Sequence, residues 1–178
     1  MDAYDAVISR RSIREFTEEP VPADLIQRLM RGAMQAPSAG NEQPWQFVII
    51  TERQKLLELH TLLRFEKALQ TTPCAILICG DTAFETHKGF LPQDCAAAAQ
   101  NILICAHSFG LGAVWIGIHP SSEKEKGIQS LFEIPESVIP VSLVVLGYPA
   151  EKKAPIDRYD ANRLHHNSWH HRVPHLII

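Results

Sequence analysis

Three guanidiniums and one hydroxyl fall within five residues at Arg10, Arg11, Ser12 and Arg14. Guanidinium forks bind phosphate or carboxylate through paired hydrogen bonds. The chain itself is slightly acidic, with 17 Lys+Arg against 20 Asp+Glu and a formal charge of -3. In that setting the cluster suggests a small phosphorylated ligand; a solvated basic turn is the competing reading. A second polar segment, residues 37–45 (PSAGNEQPW), joins the Ser38 hydroxyl, the Asn41 and Gln43 amides and the Trp45 ring in one turn-rich loop. A third, residues 110–118 (GLGAVWIGI), has glycines that permit close backbone approach. It lacks the Gly-x-Gly-x-x-Gly fingerprint of a dinucleotide fold, and no P-loop is present.

Histidines and cysteines offer less. Of nine histidines, His165, His166, His170, His171 and His175 gather near the end. His166 and His170 have the i, i+4 spacing of a helical metal pair, but no nearby Cys, Asp or Glu completes a ligand set. A metal-binding protein is therefore a minor alternative. Cys74, Cys79, Cys95 and Cys105 form no Cys-x-x-Cys pair and sit in apolar stretches. They read as buried thiols in a reducing compartment, and the cytoplasm is the expected location.

The elements that must position these groups follow from periodicity. Residues 2–9, 22–35, 53–69, 92–109 and 123–132 read as helices, the last with a Ser122/Glu125 capping box. The short apolar runs 47–51, 74–79, 113–118 and 141–147 read as strands. Alternating strands and helices indicate one α/β or α+β domain over residues 1–178. Helix 92–109 is apolar nearly all round, and Leu176, Ile177 and Ile178 have no obvious partner. A homodimer with an exchanged C-terminal arm would explain both; a central helix buried inside one sandwich is the equal alternative.

At 178 residues the chain can bury about 70% of its unfolded surface. With 46% hydrophobic residues, global disorder is excluded. The absence of excess positive charge argues against nucleic acid as a partner. No apolar run is long enough to cross a bilayer, so no membrane role is expected. The first residues are acidic where a signal peptide needs bases.

Four segments in order, AVISRRSIREF, APSAGNEQPWQFVIIT, DCAAAAQNILICAHSFGLGAVWIGI and VVLGYPAEKKAPIDRYD, resemble the FMN-dependent nitroreductase family over residues 2–170. The resemblance implies an α+β fold, a mixed sheet flanked by helices in an interwoven homodimer with an exchanged C-terminal arm (about 149–178). It implies two FMN molecules at the dimer interface. Arg10, Ser12 and Arg11 would then contact the phosphate and ribityl end, and Arg14 the flavin N1 and C2 carbonyl. Pro37, Ser38, Ala39, Asn41 and Gln43 would serve the partner's FMN. Trp115, Ile116, Gly117 and Ile118 would face the ring, with the Gly117 amide at N5. Arg158 would grip the phosphate, with Lys152 or Lys153 as stand-ins and Lys67 near the ring in some relatives.

The implied reaction is ping-pong: hydride passes from NAD(P)H through flavin N5 to a nitroaromatic, quinone, enone or flavin. No catalytic acid or base is required of the protein. A storage or dedicated biosynthetic flavoprotein is the alternative within the same cofactor class. The short connection between Asp81 and Pro92 implies an open pocket and argues against branches that clasp one substrate under a lid.

Overall fold

The computed structural model describes residues 1–64 and 66–172 of the chain. Four strands form one sheet: β1 (Trp45–Ile50), β2 (Cys74–Asp81), β3 (Gly112–Gly117) and β4 (Val138–Gly147). Their order is β1-β2-β4-β3, and every ladder is antiparallel. The sheet's parallel component is the bridge between Ser12 and Ala113. The two central strands are β2 and β4, and both are continuous apolar runs because both faces are covered.

The covering helices are α1 (Ala3–Ser9), α2 (Ala23–Ala33), α3 (Arg53–Leu62), α4 (Leu91–Ser108) and α5 (Ser122–Phe132). Side chains alternate between faces along each strand. Ile76, Ile78, Val144 and Leu146 pack with Leu29 of α2 and Ile102 of α4. Ala75, Leu77, Leu143 and Val145 pack with Leu56 and Leu59 of α3 and Ile128 of α5. The result is a three-layer α+β domain. Among the described residues no helix is long and apolar enough to cross a membrane.

Several sequence expectations shift in detail. The helix expected over 53–69 stops at Leu62, because Arg64 takes a left-handed φ of 58°; a short 3-10 turn covers Lys67–Gln70. The Ser122/Glu125 box does not form. Ser121 caps α5 without a side-chain bond, and Glu125 reaches His119 Nδ1 at 2.9 Å. α4 is buried along Cys95, Ala98, Ala99, Ile102, Leu103 and Ala106, while Ala96, Ala97, Gln100, Asn101 and Ile104 are half-buried. One chain therefore covers one side of it well and the other incompletely.

Beyond β4 the chain to residue 172 has a 3-10 turn at Ala161–Arg163 and a bridge between His165 and Arg172. His166 and His170 do not share a helical face, since a turn replaces the helix. The His166 N–H donates to His171 O, and the His165 ring stacks on Trp169 at 4.6 Å. Among the described residues no group of three or more His, Cys, Asp or Glu side chains is placed to hold a metal. His175, Leu176, Ile177 and Ile178, and the end of the expected C-terminal arm, lie outside the described residues.

The buried Thr72 hydroxyl ties the start of β2 to the end of β4, lying 2.8 Å from Cys74 O and 2.7 Å from Leu146 O. Thr72→Val keeps the shape and deletes the bond. It should lower unfolding free energy in urea by about 1–3 kcal/mol. A loss below about 0.5 kcal/mol would show that this link does not hold the sheet together.

Candidate functional site

The arginine segment follows α1 and is clamped by backbone on two sides. Asp2 caps α1 by accepting from the Asp5 N–H at 2.8 Å. After Ser9 the chain turns extended at Arg10 (φ -57°, ψ 133°). The Ile13 N–H then donates to Ala113 O at 3.0 Å, beside the start of β3. Gly112 permits this approach, since a Cβ there would lie 2.7 Å from Ile13 Cγ2. Further on, the Thr17 N–H donates to Tyr148 O and the Ala150 N–H to Glu15 O, both at 2.9 Å. Glu151 accepts from the Arg14 N–H at 2.6 Å, and Lys153 Nζ donates to Ser12 O at 2.9 Å. Segment 10–17 is thus fixed between the start of β3 and the tail leaving β4.

Charge in this corner is unbalanced. Arg10 Nη1 and Arg11 Nε are buried without a hydrogen-bond partner. Arg11 Nη1 donates to Ala154 O at 2.6 Å. Burial, then the neighbouring charges of Arg158 and Arg11, push the Arg10 pKa down. A guanidinium cannot relieve this by losing its proton. Among the described residues none of Arg10, Arg11 or Arg158 is ion-paired with a carboxylate. An anion seated among them would supply the missing acceptors and cancel the repulsion. Lys153 is committed to Glu151 at 2.8 Å and Lys67 to Glu15 at 2.5 Å. Hydrogen bonding to Glu15 pushes the Lys67 pKa up. Lys152 is exposed. Arg14 is also exposed, with its backbone rather than its side chain held.

The loop 37–43 lies elsewhere. The Ala39 N–H donates to Asp94 Oδ1 at 3.0 Å, in the first turn of α4. His107, whose pKa is pushed down by burial and then by the charge of Arg10, sits in the last turn of the same helix. Thirteen residues of helix separate the two, about 20 Å at 1.5 Å per residue. Within one chain, therefore, the anchor of the loop and the neighbour of Arg10 sit toward opposite ends of α4. The loop is tightly built all the same. The Gln43 N–H donates to Ser38 Oγ and Gln43 Nε2 to Asn41 Oδ1, both at 3.0 Å. Gly40, Asn41 and Gln43 all take positive φ, at 55°, 59° and 51°. Asn41, Gln43 and Pro37 are exposed; Ser38 and Ala39 are half-buried.

Trp115, Ile116 and Gly117 lie on β3, and Ile118 follows it. Gly117 is about 16 Å along the strand from Gly112, where the arginine segment docks. Ile116 and Ile118 are buried and Trp115 is half-buried; Gly117 is exposed, with nothing within 4 Å of where its Cβ would be.

Three polar features were not expected from sequence. Asp94 is a buried carboxylate in an Ala-rich helix, and its charge among apolar neighbours was the available signal. Glu42 accepts from the His87 N–H at 2.9 Å and lies 2.5 Å from His87 Nδ1. Burial raises the Glu42 pKa, but these bonds outweigh it and leave it lowered. Ser9 and His107 meet at 2.8 Å. The last two pairs join residues 45 and 98 positions apart, which no local pattern announces. Burial pushes the Cys74, Cys79 and Cys95 thiols up to about 12, so they are inert packing groups.

Comparison with known proteins agrees with this framework. The model of the nitroreductase family matches residues 7–148. A protein of Methanothermobacter thermautotrophicus, described provisionally as an NADH dehydrogenase/NAD(P)H nitroreductase, is 43% identical over 169 residues, which cover 95% of this chain and 88% of that one. A solved structure from Parabacteroides distasonis, described in the same provisional terms, has a TM-score of 0.90 and 34% identity, covering 94% of this chain and 98% of its own. An FMN reductase [NAD(P)H] of Bacillus subtilis is 25% identical over 183 residues, covering 93% of this chain and 73% of its own. The matched span is well over half of the sequence, and the chain belongs to the nitroreductase family.

Proposed function

We propose that the protein is an FMN-dependent oxidoreductase that carries reducing equivalents from NAD(P)H to an electrophilic small molecule. The observation that carries this reading is the corner where Arg10, Arg11 and Arg158 lack a counter-anion. Its orphaned Nη1 and Nε groups fit the phosphate of FMN. An FMN reductase among the relatives supports that choice of phosphorylated ligand. Bound FMN would supply a ring that takes up hydride from one substrate and gives it to the next, so both use one pocket in turn.

The chain's own residues bind and orient. Arg10, Arg11 and Arg158 would hold the phosphate and Ser12 the ribityl end. Arg14 would offer a cation where the reduced ring collects negative charge, at N1 and the C2 carbonyl. Residues Trp115–Ile118 would line the ring, where the open space at Gly117 admits close backbone approach. No acid or base is assigned. Nitroaromatics, quinones, enones and free flavins are the acceptor classes.

The site is completed in a homodimer. Loop 37–43 is anchored at Asp94, and Arg10 lies beside His107, about 20 Å further along α4, so Pro37, Ser38, Ala39, Asn41 and Gln43 would reach the flavin of the partner. Exposed Tyr4, Val7 and Ile8 on α1, and the half-buried side of α4, supply an apolar surface for that association.

Purified protein should carry about one FMN per chain and oxidise NAD(P)H when a quinone or nitroaromatic is added. Colourless protein that also refuses added FMN would end this reading. Arg10→Ala should weaken FMN retention about 10- to 100-fold while leaving the flavin-free fold intact, because it removes a repelled charge. Unchanged retention would remove Arg10 from the phosphate site. Arg14→Ala should keep FMN and lower its two-electron potential by about 30–60 mV, as read by spectroelectrochemistry. An unchanged potential would show that Arg14 does not face the ring.

A further inference from the structure

We propose that His107 is a fourth basic group of the phosphate seat and couples FMN binding to uptake of a proton; this rests on FMN being the cofactor. His107 lies in the last turn of α4 and is half-buried. Its Nε2 is 2.8 Å from Ser9 Oγ, and that hydroxyl is 2.5 Å from Asp5 O. The single hydroxyl proton goes to the carbonyl, so Ser9 Oγ can only accept from His107. Nε2 therefore carries a hydrogen in either charge state. Nδ1 has no partner among the described residues and is the atom left to gain the proton.

The surroundings decide when it does so. A pocket of about 270 Å3 joins His107 to Ser9 and Arg11, to Gly112 at the start of β3, and to Glu151 and Lys153 of the tail, with Met1 at its edge. Burial and then the charge of Arg10 push the His107 pKa down. Among the described residues Glu151 is the one carboxylate lining this pocket, and it is committed to Lys153 and the Arg14 N–H. The carbonyls ending α4 favour a cation, but only weakly. A bound phosphate dianion would offset the arginine charges and raise the His107 pKa. FMN binding then draws a proton onto His107. By linkage the binding it contributes is present at low pH and fades as pH rises through the bound-state pKa. The phosphate of FMN titrates near pH 6 in the opposite sense, but it does so equally in every variant.

The test is calorimetric titration of FMN and of riboflavin into flavin-free full-length protein, in buffers of different ionisation enthalpy, for wild type and His107→Gln. Glutamine keeps a donor toward Ser9 and spares the fold. Wild type should take up about half a proton more than His107→Gln near pH 7. The ratio of their FMN affinities should shrink about three- to tenfold between pH 6 and 8. Riboflavin should distinguish the two proteins at neither pH. Equal proton uptake with parallel pH profiles overturns the role of His107 alone. FMN that fails to bind wild type at any pH overturns the cofactor reading and this inference with it. Imidazole resonances of wild-type His107 give a second readout. Their midpoint should move to higher pH when FMN is added, and an unmoved midpoint contradicts the proposal.

Discussion

Like charges held close without a counter-charge constrain the rest of this molecule. Arg10 loses hydration by burial and is in addition repelled by the charges of Arg158 and Arg11. A flexible surface cluster would spread apart and solvate. This one cannot, because backbone bonds from Ile13 to Ala113 and from Thr17 to Tyr148 hold the segment against the sheet. The fold therefore holds an unfavourable arrangement at one corner, which a bound anion would relieve. Preorganised cations of this kind lose little on binding, since their geometry is already set.

The sheet makes that arrangement possible. β2 and β4 are buried on both faces and form a rigid centre, while β3 is an edge strand with an open side. The arginine segment docks on that edge, and Gly112 lets it come close. α4 then sets a second distance. It carries Asp94, which fixes loop 37–43, near one end and His107 near the other. The two halves of the proposed flavin site would thus lie at opposite ends of one helix. On the proposed reading such a chain would complete the site by pairing with another copy, and the exposed apolar residues of α1 would offer a surface for it.

Much of the architecture was legible in the sequence. All four strands announced themselves as apolar runs; the central pair, β2 and β4, is covered on both faces and has no polar alternation to blur it, while the edge strands β1 and β3 are apolar in sequence from Phe47 to Ile50 and from Ala113 to Ile116. Helix 53–69 was overextended because its apolar spacing continues past Leu62, while the left-handed turn at Arg64 leaves no mark in periodicity. The capping box at Ser122 failed because Glu125 had a tertiary competitor in His119. The local site was legible only in part. Three arginines in five residues suggested an anion, but the pairing of Arg10 with Arg158 was expected only from family resemblance, since no spacing predicts nearness across almost 150 residues. The same holds for Ser9 with His107 and for Glu42 with His87. Asp94 is the exception, since a carboxylate inside an Ala-rich helix needs a partner and could have been sought.

The unbalanced corner is proposed as a phosphate seat for a flavin. Comparing the affinities of wild-type protein for FMN and for riboflavin tests it directly, because the two ligands share the ring and ribityl chain and differ in the phosphate alone. FMN should bind tighter than riboflavin by about 100-fold or more. Equal affinities would show that Arg10, Arg11 and Arg158 serve something other than the cofactor phosphate, and would contradict the proposal.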